Sequence, residues 1–299
     1  MNRHKITRRD FLKTAAAAAV LPPLIAESAT GQSPIDQVPL GKTGLTLSRL
    51  GIGVGTYGGR LQRDLGHDGF NALIRYAYER GITYIDTADA YRTHTYVREA
   101  IKDLPREKLF ILTKMGGIPE DPLKEIDRFR SELGTDYIDC LLIHCKVTAD
   151  WPETHKSLID AFSEAKARGI IRSHGVSCHS LPALQRAAQL DWVEVNLVRL
   201  NPQAVNIDTP DEKVFNDSRP EHLAPVIEQI KLMRQNGHGV IGMKIMGEGA
   251  FKTAEERRKS ITFAVQSGLV DAMTIGFKSA EEIDEAIANI QTALAEQKR

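Results

Sequence analysis

The chain has 299 residues, 42% hydrophobic and 26% charged, with 39 Lys/Arg against 39 Asp/Glu. That composition suits a globular protein with a sizeable core, and a formal net charge of zero gives no general attraction to nucleic acid or an anionic membrane. The three cysteines, Cys140, Cys145 and Cys178, are an odd number with two in one short apolar run, which excludes a disulfide framework.

The first thirty residues read as an export segment. "MNRHKITRRDFLKTAAAAAVLPPLIAESAT" has a basic start, an alanine-rich apolar middle and small residues at its end, the three-part plan of a secretory signal. Within it "TRRDFLK" resembles the twin-arginine (Tat) motif, with Arg8 and Arg9 followed by Phe11, Leu12 and Lys13, and cleavage is expected between Ala26 and Thr30. Pro22 and Pro23 break the apolar stretch, so it does not read as a spanning helix, and no stable membrane insertion of the mature chain is expected. The expected organisation is a signal over 1–30 and one barrel domain over 38–299, exported by the Tat machinery to the periplasm. Because residues 1–30 hold five Lys/Arg and two Asp/Glu, the mature chain is mildly acidic.

After the signal, "VPLGKTGLTLSRLG" places a Lys-Thr-Gly turn between two alternating runs, which predicts a β-hairpin. Eight β-rich runs follow: 49–55, 82–86, 109–113, 137–143, 170–177, 193–200, 239–245 and 271–277. Between them lie amphipathic segments such as "FNALIRYAYERG", "PLKEIDRFRSELG" and "AEEIDEAIANIQTALAEQ", several ending in glycine, where a left-handed helix cap is wanted. Strand and helix alternating eight times predict a parallel α/β fold, a closed (β/α)8 TIM barrel with the hairpin closing its bottom, rather than an open doubly wound sheet. The longest connection, residues 201–220, is polar and long enough to cover a site.

In such a barrel chemistry gathers where strands end. The second run ends in Asp86 and its loop brings Tyr91; Lys114 follows "LFILT" and His144 follows "DCLLI". Each residue alone has an ordinary structural reading; four ionisable groups on adjacent strand ends do not. A lysine cation favours phenolate and is expected to lower the tyrosine pKa, the aspartate keeps the lysine charged, and the histidine can orient a carbonyl oxygen.

These residues carry a family resemblance. Through "GKTGLTLSRLGIGVGTYGG", "YIDTADAY", "LTKMGG", "DYIDCLLIHC", "RSHGVSCHS" and "TIGFKSAEEI", the chain from Val38 onward resembles the aldo/keto reductases. The resemblance implies an NADP(H)-dependent, or NAD(H)-dependent, reduction of a small-molecule carbonyl, with Tyr91 as proton donor, Lys114 and Asp86 as its partners and His144 orienting the substrate. It further implies cofactor contacts from Gly55, Thr56 and Tyr57 after the first barrel strand, from Ser177 and Cys178, from Met243 and Lys244, and from Gly276, Lys278, Ser279 and Glu282. Lys278 and Ser279 match positions that hold the 2′-phosphate of NADP. The sequence departs from the family where Cys178 replaces an asparagine, Leu197 a glutamine, Met243 an aromatic ring, and Glu282 and Ala286 other polar groups.

Three rival readings follow from the same residues. Lys114 or Lys244 could form a Schiff base, as in an aldolase, although a lysine beside a carboxylate is poorly suited to it. His144, Cys145, Cys178 and His179 could gather at a metal, although adjacent strand residues face opposite ways and the expectation is no metal. A barrel that binds nucleotide as a non-catalytic subunit or redox sensor is the third. Export adds a requirement, since a cofactor loaded in the cytoplasm must then be held tightly.

Overall fold

The computed structural model of the protein describes residues 33–215 and 217–297, and the expected signal over 1–30 lies outside the described residues. An antiparallel hairpin, β1 (Gln37–Pro39) and β2 (Thr46–Ser48), comes first. The barrel then runs β3 (Leu50–Gly53), α1 (Gly66–Glu79), β4 (Tyr84–Asp86), α2 (His94–Ile101), β5 (Phe110–Met115), α3 (Pro122–Leu133) and β6 (Ile138–Lys146). It continues with α4 (Lys156–Ala167), β7 (Ile171–Cys178), α5 (Leu181–Ala188), β8 (Val195–Arg199), α6 (Leu223–Asn236), β9 (Gly239–Met243), α7 (Ala254–Gln266), β10 (Ala272–Ile275) and α8 (Ala280–Gln297). Strands β3 to β10 are parallel neighbours in chain order, and β10 pairs with both β9 and β3, so the expected eight-stranded barrel is closed.

Alternation along the strands divides the core in two. On β6, Cys140 and Leu142 join Tyr84, Phe110 and Leu197 inside the barrel, while Leu141 and Ile143 join the layer between strands and helices. The hairpin contributes Leu40 and Leu47 to the inner cluster, both fully buried, each stabilising the fold by about 2 kcal/mol. Its turn lies at the amino end of β9: the Lys42 N–H donates to the Gly237 carbonyl at 2.9 Å. Gly41, at φ 50°, comes so near that a Cβ would stand 2.3 Å from the Gly239 nitrogen. The hairpin therefore closes the end of the barrel opposite the strand termini that carry the polar residues.

Helix ends are set by local chemistry. Asp121 caps α3 by accepting from the Lys124 N–H at 3.0 Å, Pro122 opens the helix, and Gly134 closes it at φ 67°. Thr253 and Glu256 form a reciprocal capping box on α7. Among the described residues no helix is long and apolar enough to cross a membrane.

Two strands run further than the sequence indicated. Lys114 and His144 were expected just past strand ends, yet both lie within strands, because β5 and β6 stay paired up to Met115 and Lys146. The register slips between Ile143 and Lys146, and Cys145 there adopts a left-handed φ of 61°. The long connection after β8 is pinned rather than loose. Ile207, Asp208 and Thr209 are buried, the Leu181 N–H donates to the Thr209 carbonyl at 2.8 Å, and Arg199 donates to the Val214 carbonyl at 2.8 Å.

Candidate active site

Asp86, the last residue of β4, and Lys114 on β5 form a buried ion pair, and the Lys114 ammonium also donates to the Thr87 carbonyl at 2.8 Å. One turn of 3-10 helix, Asp89–Tyr91, carries Tyr91 back over this pair. Its hydroxyl lies 3.5 Å from the Lys114 Nζ and 3.4 Å from the His144 Nε2, and its ring meets the His144 ring edge-on at 5.5 Å. The four residues picked from sequence thus converge on one phenolic oxygen. Two backbone contacts fix Tyr91. Its carbonyl accepts from Arg63, and its ring lies against Gly55, where a Cβ would come within 2.5 Å of two ring carbons.

Burial governs the electrostatics. It raises the Tyr91 pKa above the ordinary 10, more than the Lys114 charge lowers it, which corrects the expectation of a lowered value: a phenol out of water resists ionising. Burial also lifts Asp86, against the pull of Lys114. For Lys114 burial opposes the charge, but Asp86 and Tyr91 outweigh it and the pKa stands above the usual lysine value. His144 is brought down to about 3, by burial first and then by Lys114 and Lys146. Tyr91 is accordingly a phenol and His144 a neutral imidazole at neutral pH.

A cavity of about 480 Å³ opens from this centre, within the usual size range of small-molecule sites. Asp86 and Tyr91, at and after the end of β4, line it, as do Lys278, just before α8, and Glu282 and Ala286 in that helix. Gly55, Thr56, Tyr57, Met243, Lys244 and Gly276 of the expected cofactor set form its wall, together with Leu197. Gly276 allows the loop after β3 to close in, since a Cβ there would lie 2.0 Å from the Thr56 Oγ1. Lys244, at φ 59°, pairs with Glu248 at 2.6 Å, and burial lowers its pKa.

Ser177, Cys178 and Ser279 lie outside that wall. Cys178 belongs to the apolar layer between strands and helices, because strand alternation turns it away from its neighbour Ser177; its expected place among the cofactor contacts is not where the structure puts it. Ser177 is buried, with the His179 Nε2 3.4 Å away.

Sequence reasoning passed over Arg199 and Asp208. Arg199, buried at the end of β8, donates to the His179 Nδ1 at 2.7 Å and lies 3.4 Å from the fully buried Asp208, whose pKa burial pushes up to about 7. The only signal was an arginine closing the apolar run "VEVNLVRL". The left-handed turn at Cys145 brings its Sγ to 3.4 Å from the His179 Nδ1, so these two of the four residues weighed as metal ligands do meet, with the Arg199 guanidinium on the same nitrogen. Among the described residues, Asp89, His94 and Glu132 gather within 4.8 Å of one another. Arg128 already bonds Asp89 at 2.8 Å and Glu132 at 2.5 Å.

Asp86, Lys114, Tyr91 and His144 thus gather towards the carboxyl ends of a closed parallel barrel, where Asp86 and Tyr91 line a cavity of small-molecule size. Residues 49–293 match the model of the aldo/keto reductase family, and the chain belongs to that family. Residues 5–22 match the twin-arginine translocation signal sequence. A methylglyoxal reductase of Salmonella typhi is 30% identical over 163 residues, 52% of this chain and 58% of that protein. An NADH-specific methylglyoxal reductase of Escherichia coli K12 is 29% identical over 167 residues, 47% of this chain and 51% of its own. The chain thus spans a little over half the length of these curated relatives. Among solved structures, an aldo-keto reductase from Pseudomonas aeruginosa superposes with a TM-score of 0.68 at 23% identity, covering 88% of this chain and 97% of its own. One from Bacillus halodurans, in its holo form, gives 0.67 at 19%, covering 88% and 96%. At those identities the likeness is one of fold.

Proposed function

We propose that the protein reduces an aldehyde or ketone to an alcohol at the expense of a nicotinamide nucleotide, with Tyr91 as proton donor. The observation that carries this reading is the position of the Tyr91 hydroxyl, within 3.5 Å of both the Lys114 Nζ and the His144 Nε2 where Tyr91 lines the cavity. Residues along the cavity fit a dinucleotide. Lys244 and Lys252 line it as cations for a pyrophosphate, while Leu197, Met243 and Ile275 offer an apolar wall for a ring.

When bound, the nucleotide supplies hydride to the carbonyl carbon. The chain's own residues complete the reaction. Neutral His144 holds the carbonyl oxygen beside Tyr91; the Tyr91 hydroxyl gives its proton to that oxygen as negative charge develops there. The resulting phenolate faces the Lys114 ammonium, which Asp86 keeps charged and in place, and is reprotonated from solvent. Burial that raises the Tyr91 pKa keeps the proton available until the reaction calls for it.

Relatives named for methylglyoxal reduction support a small reactive aldehyde as the first substrate to try. The family resemblance favours NADP(H), through Lys278 and Ser279. The match to a Tat signal supports export of the folded protein, to the periplasm, with nucleotide loaded beforehand. The test is loss of nucleotide absorbance at 340 nm with methylglyoxal and a panel of aldehydes, using the wild type and Tyr91→Phe. Turnover in the first and none in the second supports the reading; no turnover by wild type with any carbonyl and either nucleotide sinks it.

A further inference from the structure

The cavity is lined both by Asp86 and Tyr91, which follow a barrel strand, and by Glu282, Glu285 and Ala286 of the last helix, α8. If hydride is delivered beside Tyr91, the nicotinamide occupies the part next to Asp86 and Tyr91, and the adenosine is left the part lined by α8. What stands there decides whether the adenosine ribose can carry a 2′-phosphate, the one group by which NADP differs from NAD.

In that part the two phosphate donors suggested by sequence both meet carboxylates. The Glu282 carboxylate accepts from the Lys278 N–H at 2.9 Å and lies 3.5 Å from the Lys278 Nζ, while the Ser279 hydroxyl bonds the Glu281 carboxylate and its Oγ accepts from the Glu282 N–H at 3.5 Å. Glu282 and Glu285 both line the cavity. Arg257, which lines the cavity beside Lys252, makes a two-pronged bond to Glu285 at 2.7 and 3.1 Å. Lys278 and Arg257 therefore each face a carboxylate, and an entering phosphate dianion must displace Glu282 from Lys278 and then remain beside it. A ribose 2′-hydroxyl has the opposite preference, because a carboxylate is the acceptor it needs, as in other dinucleotide sites where an acidic residue holds the ribose.

We infer that the cavity selects NAD(H) over NADP(H), with Glu282 as the specificity-determining residue. The inference rests on the proposed reductase function, and it reverses the cofactor preference that Lys278 and Ser279 alone would give. Glu282 accepts the ribose hydroxyl and repels the 2′-phosphate; Lys278 serves to hold Glu282 in place.

The experiment is a binding titration, read by the change in nucleotide fluorescence, of NADH and NADPH on wild type and on Glu282→Gln, with Glu282→Arg as a second variant. Wild type should bind NADH more tightly. Glu282→Gln should narrow the ratio by about tenfold, the size of one charge interaction of ~1.4 kcal/mol, and Glu282→Arg should narrow it further or invert it. Equal or tighter NADPH binding by wild type overturns the inference, and so does an NADH preference that neither variant changes. Failure of both nucleotides to bind wild type overturns the reductase reading itself, which keeps the two failures apart.

Discussion

The Tyr91 ring and the Gly55 backbone are in contact, with no room between them for a methyl group: a Cβ on Gly55 would lie 2.5 Å from two ring carbons and 2.9 Å from the hydroxyl. Gly55→Ala should therefore push the phenol off the Lys114 and His144 axis while leaving the barrel folded. The expected result is a loss in kcat of about 10²-fold, the usual cost of misplacing a reacting group by an ångström, with an unchanged far-ultraviolet dichroism spectrum. Unchanged kcat would mean that the position of Tyr91 is not what the reaction depends on.

Lys114→Met tests the ion pair. It leaves the Asp86 carboxylate buried without its cation, and breaking a buried pair in this way costs ~3–5 kcal/mol. Urea denaturation should show that loss of stability together with loss of activity. Replacing both residues, in Asp86→Asn with Lys114→Met, should recover much of the stability and none of the activity.

The pH dependence of kcat/KM follows from burial. His144 titrates at about 3 and the Tyr91 pKa stands above 10, so neither changes charge between pH 5 and 8, where an ordinary histidine would. The profile should be flat across that window. A limb near pH 6.5 that disappears in His144→Asn would show His144 to be a protonated donor instead.

Asp208 gives stability a slope of its own. Its folded pKa of about 7 lies above the unfolded value near 4, so the folded state binds the proton more tightly. The stability it contributes is complete below about pH 4 and is lost as pH rises through 7. Wild type should become less stable over that interval relative to Asp208→Asn, in which the slope is removed. Parallel stability curves for the two proteins would show that Asp208 does not titrate there.

Much of this architecture could be read from the chain, and the reasons are local. Eight β-rich runs separated by segments of helical period produced eight strands in chain order, and glycine caps such as Gly134 and Gly237 closed helices where the repeats stopped. Asp86, Tyr91, Lys114 and His144 were legible because polar residues at the ends of apolar runs have few structural reasons to be there. Helix α7 was harder, since its charged opening, "AEERRK", breaks the apolar stripe. The side-chain direction of Cys178 and the backbone turn at Cys145 depend on strand register and a bulge, which no spacing rule gives. Arg199 and Asp208 meet only because the connection after β8 folds back over the strand ends, a contact fixed by tertiary packing. That Lys278 and Glu282 line the cavity was expected from the resemblance, but their pairing with each other was not.

The proposed role of Tyr91 as donor of the proton that accompanies hydride transfer can be followed in a single-turnover experiment. Wild type and Tyr91→Phe would each be mixed with one equivalent of reduced nucleotide, followed by excess methylglyoxal, while bound nucleotide fluorescence and alcohol product are recorded. Both proteins should bind nucleotide equally, wild type should oxidise it rapidly with formation of one equivalent of alcohol, and the variant should be slower by about 10²–10⁴-fold. Oxidation by Tyr91→Phe at the wild-type rate would contradict that role.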